Sequence, residues 1–551
     1  MHITDRRNSN GEAEEVYMGA KELIESGKTA LGIEFGSTRI KAVLIDLDGN
    51  VLGTGVYDWE NQLKNGIWTY DYDEIDRGFR GCYTSLRENV EKNYGVTIKK
   101  LGALGISAMM HGYIALDKEG KTIAPFQTWR NSNTQAAADE LTKLFNFNIP
   151  LRWTSAHLYQ CVLDHEEHLK NVDFVTTLDS YMHFRLTGKK VTGVGDASGI
   201  FPIDSMKMDY DAGMMAAFDE LIAKQGYSFR AEDVFPKVLP AGTDAGTLTA
   251  EGAALLDESG NLEPGVPMAP PEGDAGTGMV ATNSVAPGTG NVSAGTSTFA
   301  MIVLEKGQTM KKLHREIDMV TTPDGAPCAM SHANNGTTDL NAWVGIFKEF
   351  CDLMGVDADM GELYGKLYKN SLKGDPDCGG LLAYGYYSGE GVTKLNEGRP
   401  LYVRMPESRF NLANLMRANL YTSLGAVKLG MDILTKEEHV RIDRITGHGG
   451  LFKTEGVAQN YLAAAINAPV TVMKTASEGG PWGMAVLAAY LIDGVKNYAS
   501  LGDYLEKKIF AGQEGITVQP DPKDVEGYET FAQHYRAGIP VEKAAIDNLR
   551  W

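Results

Sequence analysis

From residue 29 the chain alternates short apolar runs with turn residues. TALGIEF is followed by Gly36-Ser37-Thr38-Arg39, then by IKAVLID, an Asp48-Gly49 turn and NVLGTGVYDW. Apolar, β-branched runs broken by Gly, Ser and Asp read as strands joined by tight turns, so this stretch predicts a three-stranded meander. The period then changes. DYDEIDRGFRGCYTSLRENVEKNYG spaces its apolar residues three or four apart and stops at a Gly, which predicts a helix, and the continuous apolar run LGALGISAM predicts a buried strand. Together these elements make a mixed α/β core. Ahead of them residues 1–28 are polar and then weakly helical (AEEVYMGAKELIES), an N-terminal extension without a readable role.

A second passage repeats the first pattern. NVSAGTSTFAMIVLE aligns with GIEFGSTRIKAVLID, each with a strand, a Gly-Ser/Thr-Ser/Thr turn and a second apolar strand, as an internal duplication would give. Such a turn presents successive N–H groups and short hydroxyls, a concave donor site suited to phosphate oxygens. One turn alone equally serves as an ordinary hairpin; two in matching positions could grip one triphosphate from opposite sides.

The length of 551 residues exceeds what one core organises, and 43% hydrophobic with 23% charged residues fits globular domains, so two large domains are expected. A net charge of −20 opposes nucleic acid and anionic membrane partners. It also opposes a nucleotide, so a nucleotide site here needs local donors: backbone N–H groups, helix N-termini and a metal ion. The five cysteines form no CxxC pair, and the start of the chain carries no secretory apolar segment, which together predict buried reduced thiols and a cytoplasmic protein.

Other glycine-rich corners add candidates. ITGHGGLFKTEG sets Gly447, Gly449 and Gly450 at a strand-to-helix corner, where a flat ligand could approach closely. Phe452 stands where a Walker A loop needs Gly before Lys453-Thr454, and GTGNVS does not fit GxGxxG, so both motifs are rejected. SEGGPWGMAVLAAY puts Gly479, Gly480 and Gly483 at the start of a helix, for ligand approach or for packing. Asp274, between Gly273 and Gly276, reads either as a helix N-cap or as a carboxylate that accepts a substrate hydroxyl proton. Met110 and His111 follow the buried strand, at the end where α/β sheets bind ligands. Trp129-Arg130-Asn131 could stack on and hydrogen-bond a sugar, with Trp129 alternatively a core residue.

In order along the chain these segments resemble the FGGY carbohydrate kinases, most nearly the xylulokinases, from about residue 30 to about residue 510. GIEFGSTRIKAVLID is similar to the family's first phosphate motif and AMMHGYIALD to its Met-His-Gly segment. TTLDSYMHFRLTG and GVGDASGIFPID are similar to its mid-domain stretch, EGDAGTGM to its catalytic aspartate loop, and VSAGTSTFA to its second phosphate motif. YYSGEGVT, ANLMRANLYTSLGAVKLGMDIL, ITGHGG and GGPWGMAVLAAY complete the likeness.

The resemblance implies two RNase H-like domains of the actin/hexokinase ATPase type around a central cleft. Residues 29–283 would form a sugar-binding domain and residues 284–551 a nucleotide-binding one. It implies that Asp274 is the general base and that Met110, His111, Trp129, Arg130 and Asn131 hold the sugar. Gly36, Ser37, Thr38, Arg39, Gly295, Thr296 and Ser297 would face the phosphates, and Gly447, Gly449 and Gly450 would border adenosine. ATP, Mg²⁺ and a ketopentose, D-xylulose before L-ribulose, are the expected ligands, and a homodimer is compatible with the family. Glu34 stands where the family has Asp near the magnesium shell. Met109 replaces a Gln, Asn131 and Ser132 alter a Trp-Asn-Asp-Gly stretch, and Gly391 replaces an Arg. These departures keep open another sugar or polyol acceptor, or a sugar-binding regulator without turnover.

Overall fold

The computed structural model describes residues 11–473, 479–513 and 515–550. They fall into two compact units. The first comprises the described residues of Met1–Val285, Val320–Pro327 and Ala476–Ala511; the second comprises those of Ala286–Met319, Cys328–Thr475 and Gly512–Trp551.

The expected meander is present in the first unit. β1 (Thr29–Phe35), β2 (Arg39–Asp46) and β3 (Val51–Asp58) run antiparallel, and β4 (Ala103–Ala108) and the short β5 (Glu272–Gly273) join in parallel, giving the order β5-β4-β1-β2-β3. As a central strand β1 is covered on both faces, which is why its sequence is a continuous apolar run; Glu34 alone is less than fully buried. On one face Phe35 stacks on Phe79 of the helix Tyr72–Tyr94, at 5.5 Å between ring centroids. That helix ends, as its sequence indicated, at Gly95, which adopts the left-handed conformation with φ of 66°.

The other face is covered from far along the chain. A Cβ on Gly32 would lie 2.1 Å from Pro481 O and 2.4 Å from Ala485 N, and one on Gly105 would lie 2.3 Å from Met484 Cε. The helix Gly480–Ala489 therefore rests directly on the backbone of β1 and β4. Residues 479–511 return to the first unit for this reason, although the sequence places them after the second phosphate motif. The N-terminal segment also joins this unit: within the helix Gly11–Ser26, Ala20 and Ile24 are buried in its core.

The second unit repeats the pattern. Its sheet is made of β6 (Thr289–Ala294), β7 (Thr298–Val303), β8 (Asp318–Thr321), β9 (Pro327–Ala333), β10 (Arg444–His448), β11 (Val470–Met473) and β12 (Gly515–Val518), in the order β8-β9-β7-β6-β10-β11-β12, with the last two residues of β8 and the first of β9 counted in the first unit. β6, β7 and β9 are antiparallel, and β10 and β11 parallel to β6, matching β1, β2, β3, β4 and β5 one for one. The duplication read from two short strings thus extends through five strands. Among the described residues no helix is long and apolar enough to cross a membrane, and all five cysteines are free.

Beside β5 the first unit buries three carboxylates: Asp179, Asp196 and Glu272. Asp196 Oδ2 accepts from Thr177 Oγ1 at 2.7 Å and Thr192 Oγ1 at 3.2 Å, and Glu272 Oε1 accepts from Gly273 N at 3.0 Å. Both oxygens of Asp179 and Oδ1 of Asp196 find no partner among the described residues. Burial pushes Asp179 up to about 6 and Glu272 up to about 8, and burial followed by the charge of Asp179 raises Asp196 well above the carboxylate range. Unfolded carboxylates titrate near about 4, so the folded unit binds the extra protons between roughly pH 4 and pH 8. This contribution to stability is complete below that window and is lost as pH rises through it. Calorimetric melting of Asp179→Asn, which keeps the neutral shape, should show a gain over the parent that grows by about 1–3 °C between pH 5 and pH 8.5. A difference independent of pH would mean that these carboxylates are compensated.

Candidate active site

The first turn, Gly36-Ser37-Thr38, joins β1 to β2 and is closed by Gly36 N donating to Arg39 O at 2.9 Å. Arg39 does not extend over it. Its guanidinium pairs with Asp58 at 2.8 Å, across the β2–β3 register that sets the two residues opposite each other.

Just before the turn, Glu34 lies between Lys41 on β2 and Ser107 on β4. Its carboxylate hydrogen-bonds the Thr277 hydroxyl, which itself lies 3.3 Å from Ser107 Oγ. The buried Oε2 has no hydrogen-bond partner among the described residues and sits against Gly480, where a Cβ would come within 1.5 Å of it. Glycine at the head of that helix is thus what makes room for the long Glu34 side chain. Burial, then the charge of Asp274, pushes Glu34 up to about 8, against the pull of Lys41 and Thr277.

Asp274 is the first residue of the helix Asp274–Ala281, directly after β5. It is not the N-cap, a place taken by Gly273. The side chain is exposed, yet Met110 N donates to its Oδ1 at 3.2 Å, and the protein packed around it raises its pKa against that hydrogen bond. Asp274 and Met110 are brought together by β4 and β5 lying side by side. Thr277, not among the residues expected at the site, ties this helix to Glu34.

Met110 and His111 leave the end of β4 into a tight corner. Both are buried, and His111 takes a left-handed φ of 71°, followed by Gly112 at 94°. A non-glycine residue there costs about 1–2 kcal/mol, a strain that packing must hold in place. The His111 ring stacks on Trp153 at 6.3 Å, and its Nδ1 lies 3.4 Å from Gly199 O, a carbonyl that calls for the proton on Nδ1. Gly199 and Gly273 give these side chains their space: Cβ atoms there would meet His111 Nδ1 at 2.6 Å and Met110 Cγ at 2.1 Å.

The Trp129-Arg130-Asn131 segment separates into two roles. Trp129 is 37% exposed and donates through Nε1 to Ser37 Oγ at 3.2 Å, which joins the segment to the first turn. Arg130 lies over the Trp68 ring at 4.5 Å. Asn131 bonds the protein's own backbone. It is buried, accepting from Trp68 N and donating to Trp68 O and to Thr128 O, so its amide ties its own segment to the short strand Ile67–Thr69.

In the second unit Gly295-Thr296-Ser297 joins β6 to β7, with Gly295 N donating to Ser297 O at 2.9 Å. The carbonyls of Gly295 and Thr296 are taken up from behind: Thr337 N and Oγ1 each donate to Gly295 O at 3.0 Å, and Gly336 N donates to Thr296 O at 2.8 Å. A Cβ on Gly336 would lie 2.3 Å from Gly295 O. These supports escaped the sequence reading, though an Asn-Gly-Thr-Thr cluster between a strand and a helix is a signal that could have found them.

The Gly447–Gly450 corner is closely packed at two of its glycines. Gly447 makes room for the Phe452 ring, 2.6 Å from a hypothetical Cβ, and Gly449, at a φ of 100°, approaches Ala294 O to 2.5 Å by the same measure. Both glycines are explained by packing within the unit, and Gly450 alone of the three has open space around its Cα. A 3₁₀ turn, Gly450–Lys453, separates the corner from the helix Ala458–Ile466. Of SEGGPW, Ser477 and Glu478 lie outside the described residues.

Comparison with known proteins gives a consistent picture. The N-terminal domain of the FGGY family of carbohydrate kinases matches residues 29–280 and the C-terminal domain of that family matches residues 290–492. A xylulose kinase of Haemophilus influenzae is 21% identical over 520 residues, covering 92% of this chain and 98% of that one. A glycerol kinase of Thermococcus gammatolerans is 25% identical over 253 residues, 42% of this chain, so the match spans about half (50%) of that relative's length. The crystal structure of a ligand-bound xylulose kinase from Lactobacillus acidophilus superposes with a TM-score of 0.74 at 15% identity, covering 94% of this chain and 99% of that one. At that identity the likeness establishes the fold.

Because Gly336 abuts the second turn, Gly336→Ala should weaken binding of inorganic tripolyphosphate, measured by calorimetry, by about threefold or more, as displacement of packed backbone implies. Gly345→Ala, in open space on the helix Thr338–Leu353, should leave it unchanged. Equal affinities in both variants would remove the second turn from anion binding.

Proposed function

The chain belongs to the FGGY family of carbohydrate kinases, and on that premise we propose that it transfers the γ-phosphate of ATP to a hydroxyl of a ketopentose, D-xylulose before L-ribulose. The observation that carries this reading is Asp274. An exposed carboxylate at the start of a helix, held by Met110 N–H and with its pKa raised by the protein around it, is suited to accept a proton from an alcohol. The near full-length similarity to a xylulose kinase supports the choice of sugar. A glycerol acceptor is the second reading, favoured by the 25% identity to a glycerol kinase over 253 residues.

In this mechanism the acceptor hydroxyl approaches Asp274, beside Met110 and His111. As its oxygen bonds to the γ-phosphorus, its proton passes to Asp274, and the bond from phosphorus to the β,γ-bridging oxygen breaks to release ADP. Turns 36–38 and 295–297 offer N–H groups and hydroxyls to phosphate oxygens, the donors that a chain of net charge −20 needs for an anionic ligand. Glu34 and Asp274 fit a hard divalent cation, because the Oε2 of Glu34 is without a partner among the described residues and both side chains offer carboxylate oxygens, the hard donors such an ion takes. Among the described residues no three His, Cys, Asp or Glu side chains converge as a metal cluster. Bound there, Mg²⁺ would neutralise phosphate charge.

ADP release measured over a panel of ketoses and polyols tests the acceptor; activity on glycerol alone would select the second reading. Asp274→Ala should lower sugar-dependent turnover by about a hundredfold or more with ATP affinity nearly intact, and retained turnover in the folded variant would remove Asp274 from the mechanism. Glu34→Gln should raise the magnesium concentration for half-maximal rate. An unchanged titration would make this carboxylate a packing residue.

A further inference from the structure

We propose that Tyr70 and Trp59 are positioning residues of the first phosphate turn, holding its carbonyls from behind so that the N–H groups of Ser37 and Thr38 face the transferred phosphate. This rests on the kinase reading above.

Three consecutive carbonyls of the turn have donors. Trp59 Nε1 donates to Gly36 O at 2.7 Å, the Tyr70 hydroxyl to Ser37 O at 2.5 Å, and Trp59 N to Thr38 O at 3.2 Å. Within a trans peptide unit the C=O and the N–H point in opposite directions. Drawing Gly36 O toward Trp59 therefore turns Ser37 N–H away from it, and drawing Ser37 O toward Tyr70 turns Thr38 N–H away likewise. The result is a run of N–H groups with its carbonyls withdrawn, the arrangement that binds anions.

The two aromatic residues are built to stay in place. Both are buried, their rings stack at 4.0 Å and 22°, and Tyr70 also stacks on Phe126 at 6.3 Å. Burial pushes the Tyr70 hydroxyl up to about 12, so it remains a neutral donor under any assay condition near neutrality. Both belong to the stretch between β3 and the helix Tyr72–Tyr94, which folds beneath the turn. The second turn has the same logic with other parts, since Gly336 and Thr337 withdraw the carbonyls of Gly295 and Thr296.

The test uses the full chain with Tyr70→Phe, which removes the hydroxyl and keeps the stacked ring, and with Trp59→Phe, which removes the indole donor. Affinity is measured by calorimetry for ATP and for AMP, which lacks the terminal phosphates, beside kcat and KM for the best ketose. Each variant should weaken ATP binding about threefold to tenfold and lower kcat by a similar factor, with AMP affinity and ketose KM within about twofold of the parent. Tyr72→Phe, which loses a hydroxyl bonded to Ala124 O at 3.2 Å, away from the turn, should match the parent throughout. Equal losses for ATP and AMP, or no change for either with kcat intact, would overturn the proposal. Absence of turnover on any sugar by the parent protein would overturn the kinase reading alone, and the ratio of ATP to AMP affinity would still decide the role of Tyr70 and Trp59.

Discussion

A peptide unit cannot show its N–H to a ligand without sending its C=O the other way, and a carbonyl turned into a protein must find a donor there. Both glycine turns of this chain are arranged around that constraint. Trp59 and Tyr70 supply the donors in one unit, and Gly336 and Thr337 supply them in the other. The duplicated strands fix where the turns stand, while the donors behind them differ: two aromatic side chains and a backbone N–H in the first, backbone N–H groups and a threonine hydroxyl in the second. What the duplication preserves is a backbone orientation, and any side chain or backbone group that can donate from the right side satisfies it.

The acidity of the chain makes this arrangement necessary. With a net charge of −20, long-range attraction for a polyphosphate is absent, and binding falls to fixed dipoles at short range. The carboxylates of the first unit follow a related rule. Burial pushes Glu34 and Glu272 both up to about 8, and the charges of Asp274 and Asp179, respectively, add to the burial effect. Clustered acids without matching cations are held by hydroxyls and backbone N–H groups and favour carrying protons. Near β5 that favours neutral, structural carboxyls, and at Asp274, which is exposed, it favours a base.

Long-range packing fixes the rest. The helix Gly480–Ala489 lies on Gly32 and Gly105 so closely that a single added carbon would collide with its backbone or with Met484. The same helix uses Gly483 to approach Thr277 O, to 2.1 Å from a hypothetical Cβ, and Gly480 to house the Glu34 carboxylate. Four glycines, spread over more than 400 positions of sequence, thus set the spacing of Glu34 and of the helix that begins at Asp274.

Much of this was legible in the sequence wherever the signal is local. Alternating and continuous apolar runs gave the meander, the Tyr72–Tyr94 helix and β4, because a strand or helix imposes its period on its own residues. The two Gly-Ser/Thr-Ser/Thr turns, Asp274 and the Met110-His111 corner stood out because unusual residues sit at strand ends. Residue identity alone could not say what each side chain touches. The sequence does not show that Asn131 hydrogen-bonds Trp68, or that Gly447 and Gly449 pack against Phe452 and Ala294. Tyr70, Trp59, Thr277 and Gly199 carry no local signal, since their importance arises only when distant strands bring their atoms to within hydrogen-bond or van der Waals distance. Sequence fixed the elements through short-range periodicity, and the tertiary structure decided the roles, because hydrogen-bond partners and close contacts are set by proximity in space.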